Sequence, residues 1–435
     1  MKLLVIGIDG ATLDVMNPMM SEGKLPNIKK IADQGICKRM LSVYPPITYS
    51  AWTSFKTGLT PGEHGVFGFV EGAPYVSEET KVVNTKRRAF WDDLSDAGYK
   101  VGIVNVPTTY PPSKVNGVMI SGLGTPSLRS NFTYPTNLKS KISWKFDVFP
   151  LKSKNLVDKL IDAEVRITST VWYLHNQQEF DFFMVNFQGA DIIQHANFGK
   201  EQALVEKMYS AIDYCIGDIL SEITPDNIII VSDHGLGPCQ GEVRINEWLD
   251  QLGFLRLKKT PGYKNSFRTW MQENIWPLFH STWITSLIKK KVNPAGWANL
   301  VDWENTVAYA GGYLGKIYVN KKGRELKGVV TSSQYNRVIS SLINELNSWS
   351  LVEKVYKADE LYQGKYQDLA PDLTVIFNEG WADFPGFGNG SIIYPSRRRG
   401  DHRMQGIFIS TLKEVKIDCI TDVAPVIKEM YKVEY

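Results

Sequence analysis

Short apolar runs recur along the chain, separated by stretches with helical spacing. Leu3 to Ile8, Val101 to Val106, Phe182 to Phe187 and Ile228 to Val231 are apolar without alternation, the pattern of strands buried on both faces. Leu25 to Gln34, Phe90 to Ala97, Asn155 to His175 and Glu201 to Ile223 carry helical periodicity, and the first two stop at Gly35 and Gly98. Strand alternating with helix predicts an α/β fold, with a mostly parallel central sheet and helices on both faces. Past Gly241 the texture changes. Residues 242–300 are rich in Trp and Lys and show no strand pattern. Residues 307–320 read as strands around a Gly-rich turn, Tyr335 to Ser348 as a helix, and Leu373 to Phe377 and Gly406 to Ser410 as strands. The expected organisation is a core of residues 1–240 and 365–435, interrupted by an inserted cap over 241–364.

Composition narrows the class. With 43% hydrophobic and 22% charged residues, neither disorder nor a coiled coil is expected. The formal charge of +3 is too small for a protein that coats a nucleic-acid polymer. No apolar run reaches the roughly 18 residues of a membrane span, and the first residues lack the pattern of a secretory signal. Cys37, Cys215, Cys239 and Cys419 are scattered and form no Cys-x-x-Cys pair, which fits a reducing compartment. A cytoplasmic protein is expected.

The chemistry lies at strand ends. Asp9 ends the first strand, Asp191 and His195 follow the strand through Phe187, and Asp233 and His234 follow the strand through Ser232. His402 sits just before the strand at Gly406. Open α/β sheets gather ligands beyond the carboxyl ends of their strands, so the first three positions can converge. Asp191 and His195 are four residues apart and would share one helical face. Three Asp, three His and one hydroxyl suit two divalent ions with open positions. Mixed imidazole and carboxylate donors favour zinc, with manganese or iron able to use the same set. The hydroxyl comes from Pro45 to Gly58, an extended lead-in followed by a short helix. Thr48 or Ser50 would stand at its N-terminus, where amides and dipole favour an anion. Spacing alone leaves Thr48 and Ser50, and a mere capping role, all open.

These residues resemble the type I phosphodiesterase/nucleotide pyrophosphatase family of the alkaline phosphatase superfamily. The similar stretches are Val5 to Gly10, Thr48 to Gly58 and on to Pro61-Gly62-Glu63-His64-Gly65, Asp191-Ile192-Ile193-Gln194-His195, Ser232-Asp233-His234-Gly235, and His402. The family nucleophile precedes the Thr of its Thr-Gly pair by nine residues, which selects Thr48 over Ser50. The resemblance implies Asp9, Thr48, Asp233 and His234 on one zinc, and Asp191, His195 and His402 on the other. It implies hydrolysis of a phosphate ester or diester (a nucleotide, sugar-nucleotide or lipid-linked one) through a phosphothreonine. Where nucleotide-cleaving relatives carry an Asn that holds a phosphate oxygen, this chain has Phe69. The sulfatase signature is absent. Alternatives are a phosphomonoesterase, a phosphoryl transferase, or a silent protein that binds phosphorylated ligands.

Other residues carry weaker signals. His64, His175 and His280 read as structural. Arg87, Arg88, the run Arg397 to Arg399, Arg403 and Tyr110 could meet substrate but read as solvated or packing side chains. Trp283, Ile284, Leu287 and Ile288 share a helical face ahead of Lys289 to Lys291, so peripheral membrane contact through 267–291 is a second reading beside a cap packed on the core.

Overall fold

The computed structural model describes residues 1–68, 87–145, 151–258, 296–387, 390–396 and 398–434. Phe69, Arg397, His280 and the 267–291 stretch lie outside the described residues. The first part contains β1 (Leu3–Ile8), α1 (Leu13–Ser21), α2 (Pro26–Ala32), β2 (Ile36–Leu41), α3 (Thr48–Thr57), α4 (Pro61–His64), α5 (Phe90–Asp96), β3 (Val101–Val106), β4 (Gly117–Ser121) and β5 (Thr133–Tyr134). Then come α6 (Leu156–Gln177), β6 (Phe182–Phe187), α7 (Gly189–Asn197), α8 (Gln202–Glu222), β7 (Asn227–Val231), β8 (Gly235–Pro238), β9 (Gly241–Arg244) and α9 (Ile245–Gln251). The last part holds β10 (Ala308–Ala310), β11 (Lys316–Val319), α10 (Ser332–Asn347), β12 (Val352–Lys357), α11 (Ala358–Leu361), β13 (Leu373–Phe377), β14 (Trp381–Phe384), β15 (Ile393–Pro395), β16 (Gly400–Arg403), β17 (Gln405–Ser410) and α12 (Val423–Met430).

Eight strands form the central sheet in the order β2-β17-β7-β1-β6-β3-β4-β5. From β7 to β4 the strands run parallel. The two faces separate by alternation along β1. Leu4, Ile6 and Ile8 pack with Leu160, Ile167, Ile193 and Ile212, from α6, α7 and α8. Leu3 and Val5 pack with Trp52, Phe55, Phe90 and Ile427, from α3, α5 and α12. Every residue of β1 is buried, which is why the strand reads as an unbroken apolar run.

A second layer is built on the four-stranded sheet β10-β11-β13-β12, whose pairs are antiparallel. Helix α10 covers it through Ile339, Leu342 and Leu346. Two features differ from the sequence reading. Region 242–300 contains strand residues, because β9 pairs with β14 and β15. Leu373–Phe377 joins the second layer, and the chain re-enters the central sheet only at β17. In both cases pairing between residues far apart in sequence decides, and local pattern carries little of it.

Candidate active site

Strands β7, β1 and β6 are neighbours and parallel, so their carboxyl ends open at one edge. Asp9 directly follows β1, and Asp233 and His234 follow β7. Helix α7 starts two residues after β6 and presents Asp191 and His195 one turn apart. His402, expected ahead of a strand, lies within β16 itself. There it pairs opposite Leu236 of β8, two residues after His234. The ribbon is tied by Arg403, which donates to Pro238 O at 2.7 Å and to its neighbour His402 O at 2.9 Å. Thr48 is the first residue of α3, behind the cis Tyr44-Pro45 bond and Pro46. Gly58 ends that helix at φ +71°, a left-handed value that suits glycine.

Two three-residue clusters result, Asp191-His195-His402 and Asp9-Asp233-His234, each with its donor atoms within 4.8 Å of one another. The His195 and His402 Nε2 atoms are 3.0 Å apart, and Asp191 Oδ1 lies 3.3 Å from the first and 3.7 Å from the second. In the buried cluster, His234 Nε2 is 3.2 Å from Asp233 Oδ2 and 3.7 Å from Asp9 Oδ1. Thr48 Oγ1 stands 3.5 Å from the same nitrogen.

The imidazole tautomers follow from their outer bonds. His195 Nδ1 faces Gly400 O at 2.7 Å, His402 Nδ1 faces Pro46 O at 2.9 Å and His234 Nδ1 faces Gly235 O at 3.1 Å. A carbonyl accepts, so each Nδ1 carries a proton, and in the neutral ring each Nε2 is left with a lone pair. Two such lone pairs 3.0 Å apart repel each other unless a cation lies between or beside them.

The carboxylates point the same way. Asp9 Oδ1 and Asp233 Oδ2 are buried and accept no hydrogen bond. Their other oxygens are held, Asp9 Oδ2 by Trp52 Nε1 at 3.1 Å and Asp233 Oδ1 by Gly10 N at 3.2 Å. Burial, then the charges of Asp233 and Asp191, push the Asp9 carboxyl well above its ordinary range. Burial, then Asp191, pushes Asp233 up to about 8. Burial, then His234 and His195, pushes His402 well below its ordinary value. At His195 burial acts downward but is outweighed by Asp191, so its value rises. A cation cancels the burial cost of the carboxylates and keeps the imidazoles neutral. The donor set therefore fits divalent metal.

Other residues singled out in the sequence are occupied elsewhere. Ser50 donates to Val66 O at 2.9 Å. His64 accepts from Val66 N through Nδ1 at 3.0 Å and meets Ser54 Oγ through Nε2 at 2.9 Å. Arg87 donates to His64 O, Arg88 pairs with Asp93 and Asp96, and Arg398 pairs with Asp401. The Arg399 amide donates to His195 O, and Tyr110 packs on the core. His175 lies in the last turn of α6, and its Nδ1 makes no hydrogen bond. Sequence reading missed Trp52, Gln194 and Tyr209. The first is four residues after Thr48 on the same helix, a spacing that could have flagged it.

Comparison with known proteins follows the same direction. Residues 3–402 match the family described as type I phosphodiesterase/nucleotide pyrophosphatase. The chain belongs to that family. Among solved structures, phosphonoacetate hydrolase from Sinorhizobium meliloti 1021, in complex with phosphonoformate, aligns with TM-score 0.60 at 14% identity, covering 99% of this chain and 95% of its own. Murine ectonucleotide pyrophosphatase/phosphodiesterase 5 aligns with TM-score 0.57 at 14% identity, covering 100% and 96%. The human counterpart gives 0.56 at 16%, also covering 100% and 96%. At these identities the structures show a shared fold. No curated protein matches by sequence. Membership of the type I phosphodiesterase/nucleotide pyrophosphatase family supports a metal-dependent phosphoryl hydrolase.

Proposed function

We propose that this family member hydrolyses a phosphodiester at a centre of two zinc ions, with Thr48 as the nucleophile. The observation that carries the reading is that the His195 and His402 Nε2 atoms lie 3.0 Å apart beside Asp191, with each ring's Nδ1 turned to a backbone carbonyl. Asp9, Thr48, Asp233 and His234 would hold one ion, and Asp191, His195 and His402 the other. Bound there, the ions would favour ionisation of the hydroxyl and of a water, and offset charge on the leaving oxygen.

The residues supply the rest. Helix α3 begins at Thr48, so its first-turn amides and dipole favour negative charge beside Oγ1. Oγ1 attacks phosphorus, the bond to one ester oxygen breaks and that alcohol leaves, and a phosphothreonine still esterified with the substrate's other group forms. Water then cleaves that ester, restoring the Thr48 hydroxyl and releasing a phosphate monoester. Trp52 and Gly10 fix the two buried carboxylates while charge moves. A phosphoryl-bearing ligand and a threonine nucleophile find support in a murine relative recorded as an inactive threonine-to-alanine variant in complex with AMP.

The substrate class we favour is a nucleotide, sugar-nucleotide or lipid-linked diester, with the inserted region that begins at 241 and continues through β13 as its cap. Four free cysteines support a cytoplasmic setting, and no helix among the described residues is long and apolar enough to cross a membrane.

The test is turnover of bis(p-nitrophenyl) phosphate and p-nitrophenyl phosphate by zinc-loaded wild type and Thr48→Ala. Preference for the diester, lost in the variant, is expected. Preference for the monoester would make the protein a phosphomonoesterase, and equal turnover by Thr48→Ala would remove Thr48 from the chemistry.

A further inference from the structure

Beside the β8–β16 pairing, a buried side-chain strut joins the two clusters. Gly10 is its joint. Its amide donates to Asp233 Oδ1 at 3.2 Å, and its carbonyl accepts from Gln194 Nε2 at 2.9 Å. Gly10 has φ +66°, and a Cβ there would come within 3.0 Å of Asp191 Oδ1 and 2.9 Å of Leu236 Cδ1. Backbone that holds one cluster thus lies directly against a side chain of the other.

Gln194 sits on α7 between Asp191 and His195 and is fully buried. Its Nε2 spends both protons, on Gly10 O and on Ala190 O, each at 2.9 Å. Its Oε1 accepts from Tyr209 Oη at 3.3 Å, and that hydroxyl accepts from Thr12 N at 3.2 Å. Gln194 therefore connects the helix carrying Asp191 and His195 to the Gly10–Thr12 loop after Asp9. Neither end can shift without breaking a buried bond, which costs on the order of 1–3 kcal/mol per unsatisfied group.

We propose that Gln194, braced by Tyr209, is a positioning residue that fixes the spacing between the two metal-binding clusters. The inference rests on the two-ion reading above. Within each cluster the donors have their own anchors: Gly400 O and Pro46 O for His195 and His402, Trp52 for Asp9, Gly235 O for His234. Loss of the Gln194 amide therefore leaves these anchors, and the Gly10 bond to Asp233, in place and loosens the separation of the clusters. That separation matters because a single phosphoryl group must reach Thr48 and both ions together.

Zinc titration calorimetry and metal–metal distances from X-ray absorption on the cobalt-loaded protein would test this with wild type, Gln194→Met and Tyr209→Phe. Methionine keeps the volume and removes every polar contact of the amide. Wild type should bind two equivalents. Gln194→Met should keep the first equivalent, bind the second about 10–100-fold more weakly and lose the sharp metal–metal distance. Tyr209→Phe should shift the same quantities in the same direction by less, and it carries the test if Gln194→Met fails to fold. Two equivalents in every protein, with unchanged affinities and distance, would overturn the strut while leaving the two-ion reading standing. Equal weakening of both equivalents at an unchanged distance would assign Gln194 a general structural role and also overturn it. Fewer than two equivalents in wild type would overturn the two-ion reading, and the strut with it.

Discussion

Asp9 and Asp233 hold the clearest conflict between residue and environment. Each carboxylate keeps one oxygen bonded and one bare, in a place where burial raises the cost of charge. Trp52 is the side chain that aims Asp9, through Nε1 at 3.1 Å. Removing that donor in Trp52→Phe should weaken zinc binding about 10–100-fold in a calorimetric titration while the fold persists. Unchanged affinity would show that Asp9 needs no orientation. The six Asp and His residues that gather in two clusters were legible because each lies beside a strand terminus in a reading of alternating strands and helices. Thr48 was not separable from Ser50 by spacing. The structure separates their surroundings, since the Ser50 hydroxyl bonds Val66 O while the Thr48 hydroxyl faces His234 Nε2. Gln194 was invisible because a glutamine between two donors has no pattern of its own, and its role depends on a loop 184 residues away.

Elements buried on both faces could be read, and elements held by distant pairing could not. The fully buried β1, β3 and β6 appear as continuous apolar runs. Strands β8, β9 and β16 are four residues long, contain Gly, Glu, Arg or Asp, and exist because of partners far along the chain. Helix α3 shows how a local rule still positions chemistry. It must start at Thr48 and stop at Gly58, whose φ of +71° is costly for any other residue. Gly58→Ala should lower stability by roughly 1 kcal/mol in chemical denaturation. Zinc stoichiometry should stay the same, because the helix N-terminus is unaffected. Loss of zinc in that variant would mean that the far end of α3 also sets the site.

The whole molecule is two layers tied near the site by a buried lysine. Lys316 of β11 donates through Nζ to Phe67 O at 2.9 Å, and the Phe67 ring meets Tyr362 edge-on at 5.2 Å between centroids. Burial, partly offset by Asp383, lowers Lys316 to about 8 from an ordinary 10.5. Between those values the unfolded chain binds a proton that the folded chain has released, so this group adds stability as pH rises through the window. Lys316→Met should therefore gain more in melting temperature over wild type at pH 7 than at pH 10. A difference independent of pH would contradict the assignment. The sequence anticipated the doubly covered sheet but sent Leu373–Phe377 back to it, because an apolar strand does not reveal which sheet it will join. The most direct test of the central claim is to quench zinc-loaded enzyme with acid during turnover of bis(p-nitrophenyl) phosphate and locate the retained p-nitrophenyl phosphoryl group by peptide mass spectrometry. A p-nitrophenyl phosphoryl group on the peptide containing Thr48, absent from Thr48→Ala, is the predicted result. Steady turnover with Thr48 unmodified under every quench condition, or with the label on another residue, would contradict it.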